Sequence, residues 1–350
     1  PIAFPGWTLP GVMTAGAVQI LLKSQAVVPG RRFVLAGSGP LQLVVAAQLV
    51  KAGANVVAVL EATSLAQLSR IRNISAMWGQ WARMQEGISA WWTLRGAGVP
   101  LRFGWGITRA GGREQVETVD IARLDRAWRP LSDSVETTTA DTLVLGYGFI
   151  PSTQLTRVLG CKHHYSPHQD GWIPLRDERM QTTLPAVYAV GDGAGIGGAS
   201  LGRLEGQVAG LDVAHRLGWI GEQRLQSELA SLQAKLKQER RFAALLGQLF
   251  TPRPGLYTLA EEDTIICRCE EVRLREIRRA QSHGCTTLNE IKGLTRAGMG
   301  NCQGRICGDL LAQTLLSDDR PQQDRTREIR DLGSFSVRPP IYPMTVQDLA

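Results

Sequence analysis

The fold of this chain is decided by residues 32–61, which read RFVLAGSGPLQLVVAAQLVKAGANVVAVLE. The apolar run 33–36 predicts a strand that breaks at Gly37 and Gly39, and the Ala-, Leu- and Val-rich stretch 41–51 predicts a helix that ends before Gly53. Residues 55–60 predict a second strand, and Glu61 follows it about 20 residues after the glycine turn. A strand, a glycine-rich turn, a helix and a strand followed by an acidic residue are the layout of a dinucleotide-binding unit.

The glycine loop departs from the usual fingerprint at its third glycine, where this chain has Gln42. Gln42 predicts looser packing of the helix on the strand or a different pose of the ligand. Glu61 favours an unphosphorylated ribose, because a 2′-phosphate would meet like charge. A structural turn that binds nothing stays open as the alternative. The predicted cofactor contacts of this unit are Gly37, Ser38, Gly39, Pro40, Leu41 and Glu61.

The composition is that of a globular protein. The chain has 350 residues, of which 43% are hydrophobic and 20% charged, a length that suggests about two domains. Its net charge of +7 comes from scattered basic residues, which favours a mixed solvated surface over a nucleic-acid groove. No apolar run reaches about 18 residues, so no membrane-spanning helix is expected, and the opening residues do not resemble a signal peptide.

The segment 64–98 predicts helix and contains several tryptophans. Because aromatic side chains mostly belong to protein cores, we expect these residues to pack against a sheet rather than to form a stacking platform. They are Trp78, Trp81, Trp91 and Trp92.

Two later apolar segments end in glycines. Residues 141–148 predict a strand ending at Gly146 and Gly148, and residues 186–194 predict a strand that runs into Gly191, Asp192 and Gly193, with a helix at about 204–217. A carboxylate at a strand end, beside flexible glycines and a helix N-terminus, suits binding of a polyol hydroxyl near a pyrophosphate. The predicted cofactor contacts of these two segments are Gly146, Gly148, Gly191, Asp192 and Gly193. Residues 222–250 predict one or two amphipathic helices, and TPRPG at 251–255 predicts a linker.

Four of the six cysteines form the most specific pattern in the chain. Cys267 and Cys269 are one close pair and Cys302 and Cys307 are another, so each pair can occupy one loop while the intervening segment folds back. Four thiolates can hold an iron–sulfur cluster or a structural zinc ion, although zinc sites more often have two-residue gaps within a pair. Cys285, between the pairs, is interpreted as a small packing residue.

Another set of metal-binding residue types lies in a single loop, at Cys161, His163, His164 and His168. No second group of ligands is apparent for it, so we interpret it as a polar surface loop and keep a metal site as the alternative. No arrangement of a nucleophile with a histidine and an acid stands out, and we name no catalytic residue.

Together, the glycine loop, the GYG segment with Pro151 and the VGDG segment at 190–193 resemble flavoproteins of the glutathione reductase type. That resemblance implies a pyridine nucleotide at the first of these loops and contact of Asp192 with the ribityl–pyrophosphate part of FAD. It also implies that an FAD loop precedes this chain, with PIAFPGWTLPG at 1–11 as the tail of the first FAD half. A disulfide reductase is not expected, because no redox cysteine pair lies near a flavin position.

The cysteine segment resembles the bacterioferritin-associated ferredoxin-like [2Fe–2S] domain through ICRCEEV at 266–272 and GMGNCQGRIC at 298–307. The resemblance implies cluster ligation by Cys267, Cys269, Cys302 and Cys307. The glycines allow backbone N–H groups to approach the cluster sulfurs, and a helix starting after Cys307 would help to offset the thiolate charge.

Along essentially its whole length, the chain resembles the FAD/NAD(P)-binding subunits of bacterial opine oxidases, of hydrogen cyanide synthase and of multisubunit amino-acid dehydrogenases. The resemblance implies an α/β fold with two dinucleotide-binding domains of Rossmann type, the first FAD half truncated, and a small helical [2Fe–2S] domain. The implied cofactors are FAD and the cluster, with NAD(P), ATP, ADP or nothing at the second Rossmann site. The implied location is the cytoplasm, or the inner membrane face through partners.

The same resemblance implies an electron-transferring subunit. A separate catalytic flavin subunit would oxidise an opine or another amino-acid-type C–N substrate, and electrons would pass through FAD and the cluster to an acceptor. A small ferredoxin-like subunit is a further implied partner, and no nucleic acid is expected. The alternatives are an NAD(P)H-dependent FAD reductase and a zinc-bearing assembly subunit without redox function.

The predicted organisation has six segments. They are a tail of the first FAD half (1–28), the second Rossmann domain (29–145), a return to the FAD domain (146–217), a helical linker (218–258), the [2Fe–2S] domain (259–316) and a C-terminal tail (317–350).

Overall fold

The computed structural model describes residues 2–69, 74–167, 171–316, 322–345 and 347. The chain divides into two compact units. The first comprises Pro1–Gly148, Leu249–Pro321 and Leu332–Ser334, and the second comprises Phe149–Gln248, Gln322–Asp331 and Phe335–Ala350.

Up to residue 148, strands alternate with helices. In chain order the elements are β1 (Val12–Thr14), α1 (Ala15–Gln25), β2 (Arg32–Gly37), α2 (Pro40–Lys51), β3 (Asn55–Glu61), α3 (Leu65–Leu68), α4 (Trp81–Gly96), β4 (Leu101–Phe103), β5 (Trp105–Gly111), β6 (Thr118–Arg123), β7 (Glu136–Thr139) and β8 (Thr142–Gly146). A parallel sheet has the order β1-β8-β2-β3-β4, and β5, β6 and β7 pair as an antiparallel sheet. The strand–turn–helix–strand unit predicted at 32–61 is confirmed.

The core of this part lies on the parallel sheet. Residues 33–36 of β2 are all buried, so both faces of that strand are covered, and this explains its continuous apolar sequence. Phe33 and Leu35 belong to one buried cluster with Leu49 of α2 and Leu94 of α4. Burial of each such side chain contributes about 1.5–3 kcal/mol, so the cluster fixes β2 and the loop that follows it.

The tryptophans of segment 64–98 do not pack in the core as the sequence predicts. Instead, α4 buries Ala90 and Leu94, which lie four residues apart on one helix face and pack towards α2. Small and aliphatic side chains on that face let two helices approach closely, and the aromatic side chains fall elsewhere. Their exposed fractions are 75% for Trp78, 59% for Trp81, 39% for Trp91 and 60% for Trp92.

After residue 148 the chain is mainly helical. The elements are α5 (Gln154–Val158), β9 (His163–Ser166), β10 (Gly171–Pro174), α6 (Gly198–Arg216), α7 (Glu222–Phe250), β11 (Ile265–Cys267), β12 (Val272–Arg273), α8 (Leu274–Ser282), α9 (Leu288–Thr295), α10 (Cys307–Leu315) and α11 (Gln322–Leu332). The predicted amphipathic segment 222–250 is thus one helix. Among the helices of the described ranges, none has both the length and the apolar character needed to cross a bilayer.

The second unit has its own core, in which α6 packs with α7. Leu204 and Val208 of α6 share a buried cluster with Leu236 of α7 and Met180. The segment 186–194 is not the strand that the sequence predicts. Ala186 has φ +62, which interrupts extended backbone, and the segment is held by an isolated bridge and a 3₁₀ turn at Gly191–Ala194.

The cysteine-containing part of the first unit is a small helical fold beside the β11–β12 pair. The buried residues of α8 are Leu274, Ile277 and Ala280, which lie on one face of the helix. α9 begins with a capping box: Oγ1 of Thr287 accepts from the N–H of Glu290 at 3.3 Å, and the Glu290 carboxylate accepts from the N–H of Thr287 at 2.9 Å. These two helices form the segment that connects the two cysteine pairs.

Candidate functional site

The glycine loop follows β2, which pairs with β3 on one side and with β8 on the other. Ligands of doubly wound sheets bind at the carboxyl end of a strand in this position. Gly37 has no room for a side chain, because a Cβ there would lie 2.4 Å from the carbonyl oxygen of Gly146. The N–H of Ser38 donates to the same oxygen at 2.9 Å. Gly37 and Gly146 therefore lie side by side, and Gly148 follows β8 with φ +88.

Glu61 ends β3 with its side chain buried and only 3% exposed. One carboxylate oxygen accepts from the N–H of Gly39 at 3.0 Å and from Nε2 of Gln42 at 2.8 Å, and the other accepts from the N–H of Thr63 at 2.8 Å. Burial raises the pKa of this carboxyl, and the hydrogen bonds oppose that rise. Contact of Glu61 with a ribose stays a prediction.

The side chain of Gln42 is only 1% exposed at the start of α2, where it donates to Glu61. Looser packing of the helix on β2 stays a prediction. Pro40 and Leu41 form the first turn of the same helix. Because proline has no N–H, Pro40 cannot donate to a phosphate through its backbone.

The end of α7 contacts this loop within the first unit. Oγ of Ser38 donates to the carbonyl oxygen of Phe250 at 2.9 Å, and Oγ1 of Thr63 donates to that of Leu249 at 3.3 Å. No local sequence pattern predicts these contacts, since more than 180 residues separate the partners of each bond.

The predicted flavin-binding turn lies in the second unit. Asp192 is exposed, and its Oδ1 accepts from the N–H groups of Gly197 and Gly198 at 3.1 and 3.0 Å. These donors lie at the start of α6, where the helix dipole favours an anionic group. The turn therefore holds a carboxylate at a helix N-terminus, and its contact with a flavin stays a prediction.

An ion pair between Glu205 and Arg176 supports this turn. Glu205 of α6 is 1% exposed, accepts from the N–H of Gly191 at 3.0 Å and forms a two-pronged ion pair with Arg176 at 2.8 Å. Gly191 has φ +65, and its Cα would lie 3.1 Å from a Cβ built on Gly202. Sequence analysis missed Glu205 and Arg176. The sequence feature that could have indicated Glu205 is an acidic residue next to Leu204 on the apolar face of α6.

The four predicted ligand cysteines come together in the C-terminal part of the first unit. Cys267 ends β11 and Cys307 begins α10, and both are buried. Cys269 lies in the turn after β11 and is exposed, whereas Cys302 is half-buried in the loop before α10. Two ligands therefore come from each of the two loops.

Hydrogen bonds join the four thiols into one chain of contacts. Cys307 bonds to both Cys267 and Cys302, and Cys302 also bonds to Cys269. The bond with Cys307 is the main cause that lowers the pKa of Cys267 to about 6 and that of Cys302 to about 5. The same two bonds raise the pKa of Cys307, so the proton stays on Cys307 while its two partners become more acidic.

Two glycines shape the surroundings of these thiols. The N–H of Gly298 lies 3.4 Å from Sγ of Cys267, and a Cβ on Gly300 would lie 2.2 Å from the Cβ of Cys269. Backbone N–H groups and close approach of this kind suit the sulfurs of an iron–sulfur cluster. Within the described residues, no three or more His, Cys, Asp or Glu side chains converge on a single metal ion. A [2Fe–2S] cluster binds its four thiolates through two iron atoms, two thiolates on each. It therefore does not need three side chains around a single ion.

The described residues of the histidine loop, Cys161, His163 and His164, do not form a metal site. The ring of His163 contacts the carbonyl oxygen of Cys161 at 2.8 Å and Oγ1 of Thr156 at 2.9 Å, and burial lowers its pKa. The Cys161 thiol is buried against Thr182. His168 lies outside the described residues. Cys285 is half-buried, in the segment between the two cysteine pairs.

Two family models match the chain. Residues 8–218 match the family described as pyridine nucleotide-disulphide oxidoreductase, and residues 265–316 match the BFD-like [2Fe-2S] binding domain. The first match contains the glycine loop and Asp192, and the second contains the four thiols.

Curated relatives match over nearly the whole chain. Hydrogen cyanide synthase subunit HcnB of Pseudomonas aeruginosa is 37% identical over 98% of this chain and 72% of its own length. An opine oxidase subunit of Agrobacterium tumefaciens is 32% identical over 100% of this chain and 67% of its own length.

A solved structure shares the fold. L-Proline dehydrogenase from P. horikoshii superimposes with a TM-score of 0.67 at 20% identity, covering 100% of this chain and 56% of that chain. The predicted α/β flavoprotein fold with a small helical C-terminal domain is confirmed.

Proposed function

Because this chain belongs to the pyridine nucleotide-disulphide oxidoreductase family, we propose that it is the electron-transferring subunit of a heteromeric flavin dehydrogenase. Its family is that of flavin-dependent oxidoreductases, and the two matched domains indicate FAD and a [2Fe–2S] cluster. The proposed substrate class is an opine or another amino-acid-type C–N compound. The proposed role is to pass electrons from flavin to the cluster and on to an acceptor.

The contact chain of the four thiols is the observation that carries this proposal. Hydrogen bonds between the thiols lower the pKa of Cys267 and Cys302, and the N–H of Gly298 donates to the sulfur of Cys267. A [2Fe–2S] cluster accepts and releases single electrons, which is the chemistry of a relay. Cys267, Cys269, Cys302 and Cys307 would hold it, and their thiolate charge and N–H contacts would tune its potential.

Asp192 and the start of α6 are the proposed flavin contacts in this chain. The carboxylate is held in place by two backbone N–H groups, and Glu205 with Arg176 braces the turn beneath it. FAD takes up electron pairs and releases them singly, so it connects a two-electron oxidation to a one-electron carrier. The residues of the turn supply binding and orientation.

The names of the relatives support a heteromeric assembly. HcnB is named as a subunit of hydrogen cyanide synthase, and the Agrobacterium relative as a subunit of opine oxidase. We therefore place substrate oxidation on a separate flavin subunit, with a small ferredoxin-like subunit as a second partner. Since thiolates and iron–sulfur clusters persist in a reducing compartment, the proposed location is the cytoplasm.

The first test is the metal content of the anaerobically purified chain. We expect about two iron and two sulfide per chain and visible absorption that bleaches with dithionite. One zinc per chain and a colourless protein would contradict the relay and favour the assembly subunit instead.

Cysteine variants assign the ligands. Cys302→Ser and Cys267→Ser should each lose most of the iron and the visible absorption, because each removes one of four thiolates. Cys285→Ser is the matched control, since Cys285 lies between the pairs and outside the contact chain, and it should keep the iron content of the unmodified chain. Equal loss in all three variants would contradict the assignment.

A further inference from the structure

The side of Gly39 that would face a nucleotide is covered by this chain itself. In a dinucleotide-binding loop, the second glycine lacks a side chain so that a pyrophosphate can approach its backbone. A Cβ built on Gly39 would instead lie 3.4 Å from Cγ of Phe250 and 3.5 Å from its Cβ. The Phe250 side chain therefore lies in van der Waals contact with the surface that a pyrophosphate would touch.

The backbone donors of the same loop are already engaged. The N–H of Ser38 donates to Gly146 and that of Gly39 donates to Glu61, whereas Pro40 has no N–H. Glu61, the residue that would accept from ribose hydroxyls, is buried with both carboxylate oxygens in hydrogen bonds. Phosphate binding at a helix N-terminus depends on free N–H groups, and these three positions offer none.

The carbonyl oxygens at the end of α7 take the place that the phosphate of a nucleotide would have. The last carbonyl groups of a helix carry the negative end of its dipole and lack partners within the helix. Here those of Leu249 and Phe250 accept hydrogen bonds from Thr63 and Ser38, close to the start of α2, whose dipole end is positive. The end of α7 thus fills the space beside the glycine loop and supplies the negative partial charge that a phosphate would otherwise supply.

The segment after α7 is fixed to the same unit. The N–H of Gly255 donates to the carbonyl oxygen of Ala127 at 2.9 Å. The guanidinium of Arg253 lies 5.7 Å from the centre of the Trp128 ring and donates to the carbonyl oxygen of Arg126 at 2.6 Å. Contacts on both sides of Phe250 therefore hold it over the glycine loop.

From these contacts we propose that the end of α7 occupies the nucleotide site of the second Rossmann domain, so that this domain takes no NAD(P), ADP or ATP. Electrons then do not enter from NAD(P)H, and the domain serves as a scaffold. The proposal concerns the glycine loop alone and does not depend on what the cysteines hold.

Calorimetric titration of the full chain with NADH, NAD⁺, ADP and ATP tests this directly. Unmodified protein should give no saturable binding up to about 1 mM, and NADH should not bleach any bound flavin. Phe250→Ala should gain binding of at least one of these nucleotides by tenfold or more. Leu246→Ala, one turn earlier in α7, is the matched control and should behave like the unmodified chain.

Hydrogen exchange locates any binding that is seen. Micromolar binding to the unmodified chain that protects the amides of residues 37–42 would overturn the proposal, and this measurement holds even if Phe250→Ala fails to fold. A folded Phe250→Ala variant that still binds no nucleotide would also overturn it, because the helix end would then not be what excludes the ligand.

Discussion

Cys302 is the thiol whose acidity has the clearest experimental consequence. Hydrogen bonding to Cys307, together with backbone N–H groups of Ile306 and Gly304, lowers its pKa to about 5. It is half-buried, so a small alkylating reagent can reach it. Because the thiolate is the nucleophile, reactivity follows the ionised fraction of this side chain.

We therefore predict how alkylation of the metal-free chain depends on pH. The rate of iodoacetamide reaction at Cys302 should be nearly constant from pH 8 down to about pH 6 and should fall about tenfold per unit below about pH 5. Mass spectrometry of the peptide containing residue 302 measures it. A rate that already falls below about pH 8.5, as for an ordinary cysteine, would contradict the low pKa.

At the scale of elements, the contact between α6 and the proposed flavin-binding turn depends on two glycines. Gly202 in the first turns of α6 approaches Gly191 so closely that a Cβ on Gly202 would lie 3.1 Å from the Gly191 Cα. Backbone cannot give way as a flexible side chain can. Added volume at this position must therefore move the helix or the turn.

Gly202→Ala should destabilise the fold by about 1–3 kcal/mol through this overpacking and weaken binding of added FAD. Urea unfolding and a flavin titration measure the two effects. Gly206→Ala is the matched control, because nothing lies within 4 Å of its Cβ position, and it should be neutral or stabilising by up to about 1 kcal/mol. Equal losses in the two variants would refute the role of the close contact.

Elements with strong local signals were predictable from the sequence. The helix predicted at 41–51 is α2, and the adjoining strands are β2 and β3. The buried face of α4 was not predictable from the sequence. The helix has both an aliphatic face with Ala90 and Leu94 and several larger aromatic side chains, and the face that is buried depends on where α2 lies. The four cysteines could be grouped from the sequence because they lie in one segment. The position of Phe250 beside the glycine loop could not, because Ser38 and Phe250 are 212 positions apart in sequence.

At the scale of the whole molecule, the N-terminal residues contact the segment that holds the cysteines. Nε1 of Trp7, which is 5% exposed, donates to the carbonyl oxygen of Ile265 at 2.6 Å, and Arg109 pairs with Glu261 at 3.5 Å. The first of these bonds lies two residues before Cys267. The position of Cys267 therefore depends on residues far away in sequence.

Trp7→Phe should lower the free energy of unfolding by about 1–3 kcal/mol, because it leaves the Ile265 carbonyl oxygen without its indole donor. We also expect faster loss of visible absorption from the reconstituted protein. Trp219→Phe, at a site that is 76% exposed, is the control and should change stability by less than about 0.5 kcal/mol. A Trp7→Phe variant as stable as that control would show that the bond contributes little.

The Trp7–Ile265 bond has a consequence for how such a protein can be recombined. A cut between α7 and β11 would leave an indole donor on one fragment and a bare carbonyl oxygen on the other, each of which is costly to bury. Because the acceptor is a main-chain carbonyl oxygen, a chimera that imports a foreign cysteine segment must hold that oxygen at the same position relative to the Trp7 indole. Recombination at this point therefore has to preserve the geometry between Trp7 and the backbone of β11, although more than 250 positions separate them.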